Sequence, residues 1–141
     1  SGSLPLGQLV KMCFSGKYSE SHINKMIVGK GGISAHLGTN SAKEVSDRAK
    51  AGDEKARLIY SAMAYQIAKA IGEYAVVLDG DVDAILITGG IAYDNELVQM
   101  IEDKVKFIAK VIVYPGEDEL LALAQGGLRV LNGIEEPKKY I

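Results

Sequence analysis

Cysteine is nearly absent: Cys13 stands alone in 141 residues. A disulfide framework and a cysteine-based zinc site are therefore excluded, and a reducing, cytoplasmic setting is expected. Tryptophan is missing and proline occurs only 3 times. No apolar run approaches the roughly 18 residues that begin to suggest a membrane span, and no secretory pattern opens the sequence. Neither sign of charge dominates, since 16 Lys and Arg face 18 Asp and Glu for a net of −2. Without a basic stripe, neither nucleic acid nor a membrane is an expected partner. Glycine, in contrast, is plentiful at 16 residues, and glycine with little proline suits tight βα turns better than loose linkers. Hydrophobic residues at 48% and charged residues at 24% describe an ordinary globular chain with material for a core.

The helical signals come first along the chain. Apolar Leu6, Leu9, Val10 and Cys13 after Pro5 predict a short amphipathic helix ending near Phe14, with Cys13 in the core. Ser19 is a candidate cap for a second helix carrying Ile23, Met26 and Ile27 on one face. Lys30 to Asn40 reads as a glycine-rich connection with an extended piece around Ile33 to Leu37. Ser41-Ala42-Lys43-Glu44 has the form of a capping box, with a helix to about Ala51 and a stop at Gly52. Asp53 then opens a helix of about 25 residues whose expected apolar stripe is Ile59, Met63, Ile67, Ala70, Ile71, Tyr74 and Leu78. Both sides of so long a helix are expected to contact protein.

Strands follow. Asp83 to Thr88 is a short apolar run bounded by turn signals, the pattern of a buried parallel strand. Asp94 can cap a helix with Leu97, Val98, Ile101 and Val105 on one face, and Ala109 to Tyr114 is a second strand. A last helix begins at Glu117-Asp118-Glu119 and runs to about Leu131, before a loose polar tail over 134–141. The class is α/β. Two strands are too few for this many amphipathic helices, so either strands hide in the glycine-rich region or a part of the sheet is missing.

The sharpest motif is Ile85-Leu86-Ile87-Thr88-Gly89-Gly90-Ile91-Ala92-Tyr93-Asp94, a strand, two glycines and a helix start. Backbone without Cβ atoms can lie against a flat ligand or a phosphate, and a helix start supplies amides. The plainer reading, that two glycines only sharpen a turn, is as well supported by the spacing. A third glycine of the dinucleotide fingerprint is lacking, as is the GK[ST] of a P-loop. Gly29-Lys30-Gly31-Gly32 reads as a flexible connection, and Asp79-x-Asp81-x-Asp83 fails as a calcium loop because Ala84 and Gly90 stand where Gly and Glu are required. Glu117-Asp118-Glu119 fits compensation of a helix dipole, or else carboxylates for magnesium. His22 and His36 have no ligand partner at metal spacing, and Tyr60, Tyr65 and Tyr74 read as packing residues with wet hydroxyls. No nucleophile, base and orienting group occur together.

Three segments in order, Gly38-Thr39-Asn40-Ser41-Ala42-Lys43-Glu44-Val45, Ile87 to Tyr93 and Tyr114-Pro115-Gly116-Glu117-Asp118-Glu119, resemble the C-terminal part of the acetate kinase family, in its butyrate kinase branch. The resemblance spans Ser1 to about Gly133. It implies the C-terminal lobe of a ribonuclease-H-like, actin-like ATPase fold, with the leading strands of that lobe preceding Ser1 and residues 1–141 forming a single segment of a two-lobe enzyme. It implies reversible transfer of the ATP γ-phosphoryl to butyrate or a related short-chain acid, giving an acyl phosphate, with magnesium accompanying ATP or ADP. Asn40, Ser41, Ala42 and Lys43, with Gly89, Gly90, Ile91, Ala92, Tyr93 and Asp94, then stand on the nucleotide, although Lys43 replaces an arginine whose guanidinium would stack. Asp118, or alternatively Glu119, falls beside the metal. The family's phosphate loop and transition-state His and Arg have no counterpart in these residues, so the chain is expected to be inactive alone. A homodimer of the full enzyme is implied. The alternatives are a non-catalytic dimerisation lobe and a Rossmann-like nucleotide-binding module.

Overall fold

Short polar side chains start the helices where the sequence places them. The computed structural model describes residues 5–116 and 119–137, with Glu119 described in its backbone only. Among these residues, Ser19 caps α2 (Glu20–Ile27), Ser41 caps α4 (Ala42–Lys50), Asp53 caps α5 (Glu54–Val77) and Asp94 caps α6 (Asn95–Val105). In each case a side-chain oxygen accepts from a backbone amide of the first turn, which would otherwise lack a partner. The remaining helices are α1 (Leu6–Cys13), α3 (Ile33–Leu37) and α7 (Glu119–Leu131).

Between α5 and α7 the chain runs β1 (Ala84–Gly89), one turn of 3-10 helix (Gly90–Tyr93), α6 and β2 (Lys110–Pro115). The strands pair in parallel from Ala84 opposite Lys110 to Gly89 opposite Pro115. The described residues thus form a helix-rich α/β unit with a two-stranded parallel sheet, each strand within a residue of its expected limits. A parallel pair needs a crossover, and the 3-10 turn with α6 provides it. Ile85 and Ile87 of β1 are buried, whereas Leu86 is 59% exposed. The strand was expected to be covered on both faces; it is covered on one.

The core joins Val45 and Ala49 of α4, Ala56, Tyr60, Ala64 and Ala68 of α5, Ile85 and Ile87 of β1, and the expected face of α6 at Leu97, Val98, Ile101 and Val105. On α5 the buried stripe differs from the one expected. Alanines and Tyr60 face inward, Met63, Ile67 and Ile71 flank them, and Tyr74 and Leu78 are exposed. Small side chains let α4 and α6 approach the α5 backbone, so the larger aliphatic residues take the flanks. Beyond Ile71 the expectation of protein on both sides also fails, for Val76 and Val77 are exposed as well.

Three further corrections are local. Residues 33–37 form a helical turn instead of an extended piece, closed by Gly38 at φ 74, whose amide donates to the Ser34 carbonyl. Ile33 and Leu37, both packed on the core, are four apart and share a face under either periodicity, so their spacing did not discriminate. Glu44 does not complete a capping box: its Oε2 accepts from Thr39 Oγ1 at 2.7 Å, and the Ser41 amide donates to that same hydroxyl at 3.2 Å. Thr39 occupies the space the box would need. Cys13 is exposed. Among the described residues no helix is long and apolar enough to cross a membrane, and residues 134–137 carry no regular element, while 138–141 lie outside the described residues.

Ile101 is 1% exposed at the centre of this core. Truncation in Ile101→Ala removes its contacts and leaves a cavity, so a loss of about 2–5 kcal/mol is expected in urea unfolding. A loss under ~1 kcal/mol would mean that α6 is not seated as described.

Candidate functional site

The strand-to-helix passage at Gly89 turns in a way only glycine makes easily. Gly89 has φ 79 and ψ −168, a region closed to residues with a Cβ. Gly90 to Tyr93 then coil once, and Asp94 hands the chain to α6. Opposite this elbow lies α4, whose Ala42, Lys43, Ser46, Asp47 and Lys50 recur at helical spacing on one face. Between the two is a cleft of about 920 Å³, with Gly90, Ile91, Tyr93, Asp94, Asn95, Glu96 and Leu97 forming the second wall and Tyr60 of α5 behind them.

Asp94 is the most heavily engaged side chain in this cleft. Its Oδ1 accepts from the amides of Glu96 at 3.0 Å and Leu97 at 3.4 Å. Its Oδ2 accepts from the hydroxyl of Tyr60, which is 1% exposed. Lys50 Nζ stands 3.7 Å from Asp94 Oδ1 and 4.0 Å from Glu96 Oε2. Burial works to raise the Asp94 carboxyl, but the nearby hydroxyls of Ser46 and Tyr60, the Leu97 amide and Lys50 together hold it below the ordinary carboxylate value. Burial first, and then the Asp94 carboxylate, push the Tyr60 phenol well above its usual range. Asp94 is accordingly an anion and Tyr60 a neutral donor throughout the physiological range. Ser46 is 2% exposed, and its Oγ has no hydrogen-bond partner of regular geometry among the described residues.

The expected nucleotide residues divide in two. Ala42, Lys43, Gly90, Ile91, Tyr93 and Asp94 line the cleft. Four others stand off it. Ser41 turns its hydroxyl to the Glu44 amide, Asn40 is exposed ahead of that cap, Gly89 is the hinge, and Ala92 is buried in the core. Ser46, Asp47, Lys50, Tyr60, Asn95, Glu96 and Leu97 were not anticipated. Extending the helical period from Ala42 would have found the α4 members; nothing in the sequence pairs Tyr60 with Asp94. Asp118 and the side chain of Glu119 lie outside the described residues. Within the described residues no three His, Cys, Asp or Glu side chains come together to hold a metal ion.

An α/β unit of this shape occurs in solved carboxylate kinases. Acetate kinase from Porphyromonas gingivalis superposes with a TM-score of 0.78 over 93% of this chain and 39% of its own, at 23% identity. A propionate kinase from Francisella tularensis gives 0.69 over 84% of this chain and 36% of its own, at 21% identity. The fold is theirs. Residues 1–124 match the acetokinase family model, and the chain belongs to that family. Among curated relatives, butyrate kinase 2 of Clostridium acetobutylicum is 58% identical over 140 residues, covering 99% of this chain and 39% of the relative. A probable butyrate kinase 2 of Caldanaerobacter subterraneus is 56% identical over 99% of this chain and 40% of the relative. The chain therefore spans 39–40% of the length of these relatives, and the resemblance to butyrate kinases is borne out.

In Tyr60→Phe, Asp94 loses a donor that favours its charged form. Its carboxyl should then titrate at a higher pH than in the native chain, with about 0.5–1.5 kcal/mol of stability lost at neutral pH. The native contribution of Asp94 is full above the ordinary carboxylate range and fades as pH falls through its lowered value. A carboxyl NMR titration of both proteins measures this; coincident curves would remove Tyr60 from the network.

Proposed function

We propose that this chain forms the adenosine side of an enzyme that transfers the γ-phosphoryl group of ATP to butyrate, reversibly, giving butyryl phosphate and ADP. The observation that carries this reading is the cleft itself. Its two walls bring together the α4 segment at Ala42 and Lys43 and the glycine elbow at Gly90, Ile91 and Tyr93, segments far apart in sequence that the family resemblance puts on one nucleoside. The 58% identity to butyrate kinase 2 supports butyrate over acetate as the acid, with branched or slightly longer acids also admitted.

In this reading the unit is the C-terminal lobe of the two-lobe, actin-like enzyme, cytoplasmic and dimeric in its full form. Gly90 brings main chain close to the nucleoside because no side chain intervenes. Lys43 and Lys50 supply positive charge at the α4 wall, Lys50 already shared with Asp94 and Glu96. Asp118, with Glu119 as the alternative, is proposed on the family resemblance as the carboxylate on the magnesium side. Phosphoryl transfer depends on positioning and on neutralising the charge of the transferring group. In the cleft Lys43 and Lys50 are outnumbered by Asp47, Asp94 and Glu96, so the chain alone is expected to bind nucleotide without turning it over.

A second reading, a dimerisation lobe, draws support from α7, where Leu120, Leu123 and Leu131 are 83%, 73% and 82% exposed. Calorimetric titration separates the two. ADP should bind saturably to the native chain and about tenfold or more weakly to Gly90→Val, since a branched side chain would occupy the close approach. No heat with ADP, together with a concentration-dependent dimer in sedimentation equilibrium, would overturn the nucleotide reading in favour of the second. Turnover of ATP and butyrate by the chain alone would show that the transfer machinery is misplaced.

A further inference from the structure

Five charged side chains line the cleft, and pairing among them leaves one carboxylate over. Lys50 stands 3.7 Å from Asp94 and 4.0 Å from Glu96. Asp94 is engaged further by Tyr60 and two backbone amides. Asp47, on the α4 wall, has no hydrogen-bond or ion-pair partner for its carboxylate among the described residues. Lys43 lies four residues before it on the same face, yet the two do not pair. A lysine ahead of an acid is the weaker order for such a helical pair. Asp47 is exposed, so water satisfies it and no strain attaches to it; its place in the cleft is what distinguishes it.

The two walls offer a nucleoside different things. Gly90, Ile91 and Tyr93 present bare backbone, apolar and aromatic surface, which suits a flat base. The sugar has another need, because each ribose hydroxyl that leaves water carries a proton in search of an acceptor. On the α4 wall acceptors are few. Lys43 and Lys50 only donate, Ala42 has no polar side chain, and the Ser46 oxygen is buried. Across the cleft Glu96 shares Lys50, and Asn95 offers a neutral carbonyl. Asp47 is the carboxylate that remains. Its two oxygens match two neighbouring hydroxyls, and a hydrogen bond to a carboxylate is roughly twice as strong as one between neutral groups. Resting on the nucleoside reading above, we infer that the Asp47 carboxylate accepts from the 2′- or the 3′-hydroxyl of the bound nucleoside and so selects ribose over deoxyribose. The two hydroxyls present the same chemistry, and the choice between them falls to the test.

The test is calorimetric titration of the native chain and Asp47→Ala with adenosine, 2′-deoxyadenosine, 3′-deoxyadenosine and ADP. Alanine at this exposed helical position should leave the fold intact. The native chain should bind adenosine about tenfold more tightly than one of the deoxynucleosides, the worth of a hydrogen bond to a carboxylate at an open site. That deoxynucleoside identifies the hydroxyl. Asp47→Ala should bind adenosine about tenfold more weakly than the native chain does, and the preference for ribose should vanish. A native chain indifferent to both hydroxyls would overturn the assignment, as would a ribose preference that survives in Asp47→Ala. So would unchanged adenosine affinity with tighter ADP binding in the variant, because Asp47 would then act only through its charge on the phosphates. A native chain that binds neither nucleoside nor nucleotide would overturn the nucleoside reading together with this one, whereas native binding untouched by the substitution sinks only the role of Asp47.

Discussion

The carboxylate of Asp94 ties four parts of the chain to one point. It ends the 3-10 turn, caps α6, accepts a hydrogen bond from the Tyr60 hydroxyl on α5 and faces Lys50 on α4. These contacts are unequal. Lys50 is about half exposed and 3.7 Å away, an arrangement worth at most ~1 kcal/mol. A buried tyrosine hydroxyl without an acceptor would cost about 1–3 kcal/mol, and an uncapped helix start about 1 kcal/mol more. Hydrogen bonds to Asp94, more than its ion pair, therefore fix where α6 begins. Because only the 3-10 turn separates Asp94 from Gly89, they also fix the elbow that forms one wall of the cleft.

How far the chain could be read from its residues depended on the range of the interaction. Caps at Ser19, Ser41, Asp53 and Asp94 act within three residues, and all four were legible. The face of α6 followed from spacing because Leu97, Val98, Ile101 and Val105 fall on one side of it, with Met100 beside them. On α5 two stripes compete, one of large aliphatics and one of alanines with Tyr60. Hydrophobicity favoured the first, while close packing against two helices required the second. Six of the ten expected nucleotide residues line the cleft because the glycine elbow and the start of α4 are local motifs. Tyr60 and Ser46 were missed because their importance arises from the meeting of α4, α5 and α6 in space.

Surface apolarity has a pattern as well. Leu86 on the open face of β1, Tyr74, Val76, Val77 and Leu78 at the end of α5, and Leu120, Leu123 and Leu131 on α7 are all exposed. Single exposed apolar residues are ordinary, but clusters of them at the end of α5 and along α7 are not. A two-stranded sheet also leaves strand edges open to pairing. Such a surface accords with a unit that spans 39–40% of its relatives' length, because a longer chain of this family has further residues with which to cover it.

The charges in the cleft bear on which part of ATP the proposed site would hold. Lys43 and Lys50 are opposed by Asp47, Asp94 and Glu96, so the lining carries more negative than positive charge. A polyphosphate brought into such a cleft would meet net repulsion, and its cost would grow as water is excluded. A nucleoside is neutral and asks only for apolar contact, close backbone and a few hydrogen bonds. Ile91, Tyr93 and Gly90 line the cleft and suit the first two. The same imbalance would turn the phosphates outward from the cleft, toward groups supplied by the remainder of a longer protein. Binding and transfer would then be divided between two parts of one chain, with the nucleoside held here and the charge of the reacting phosphoryl group neutralised elsewhere.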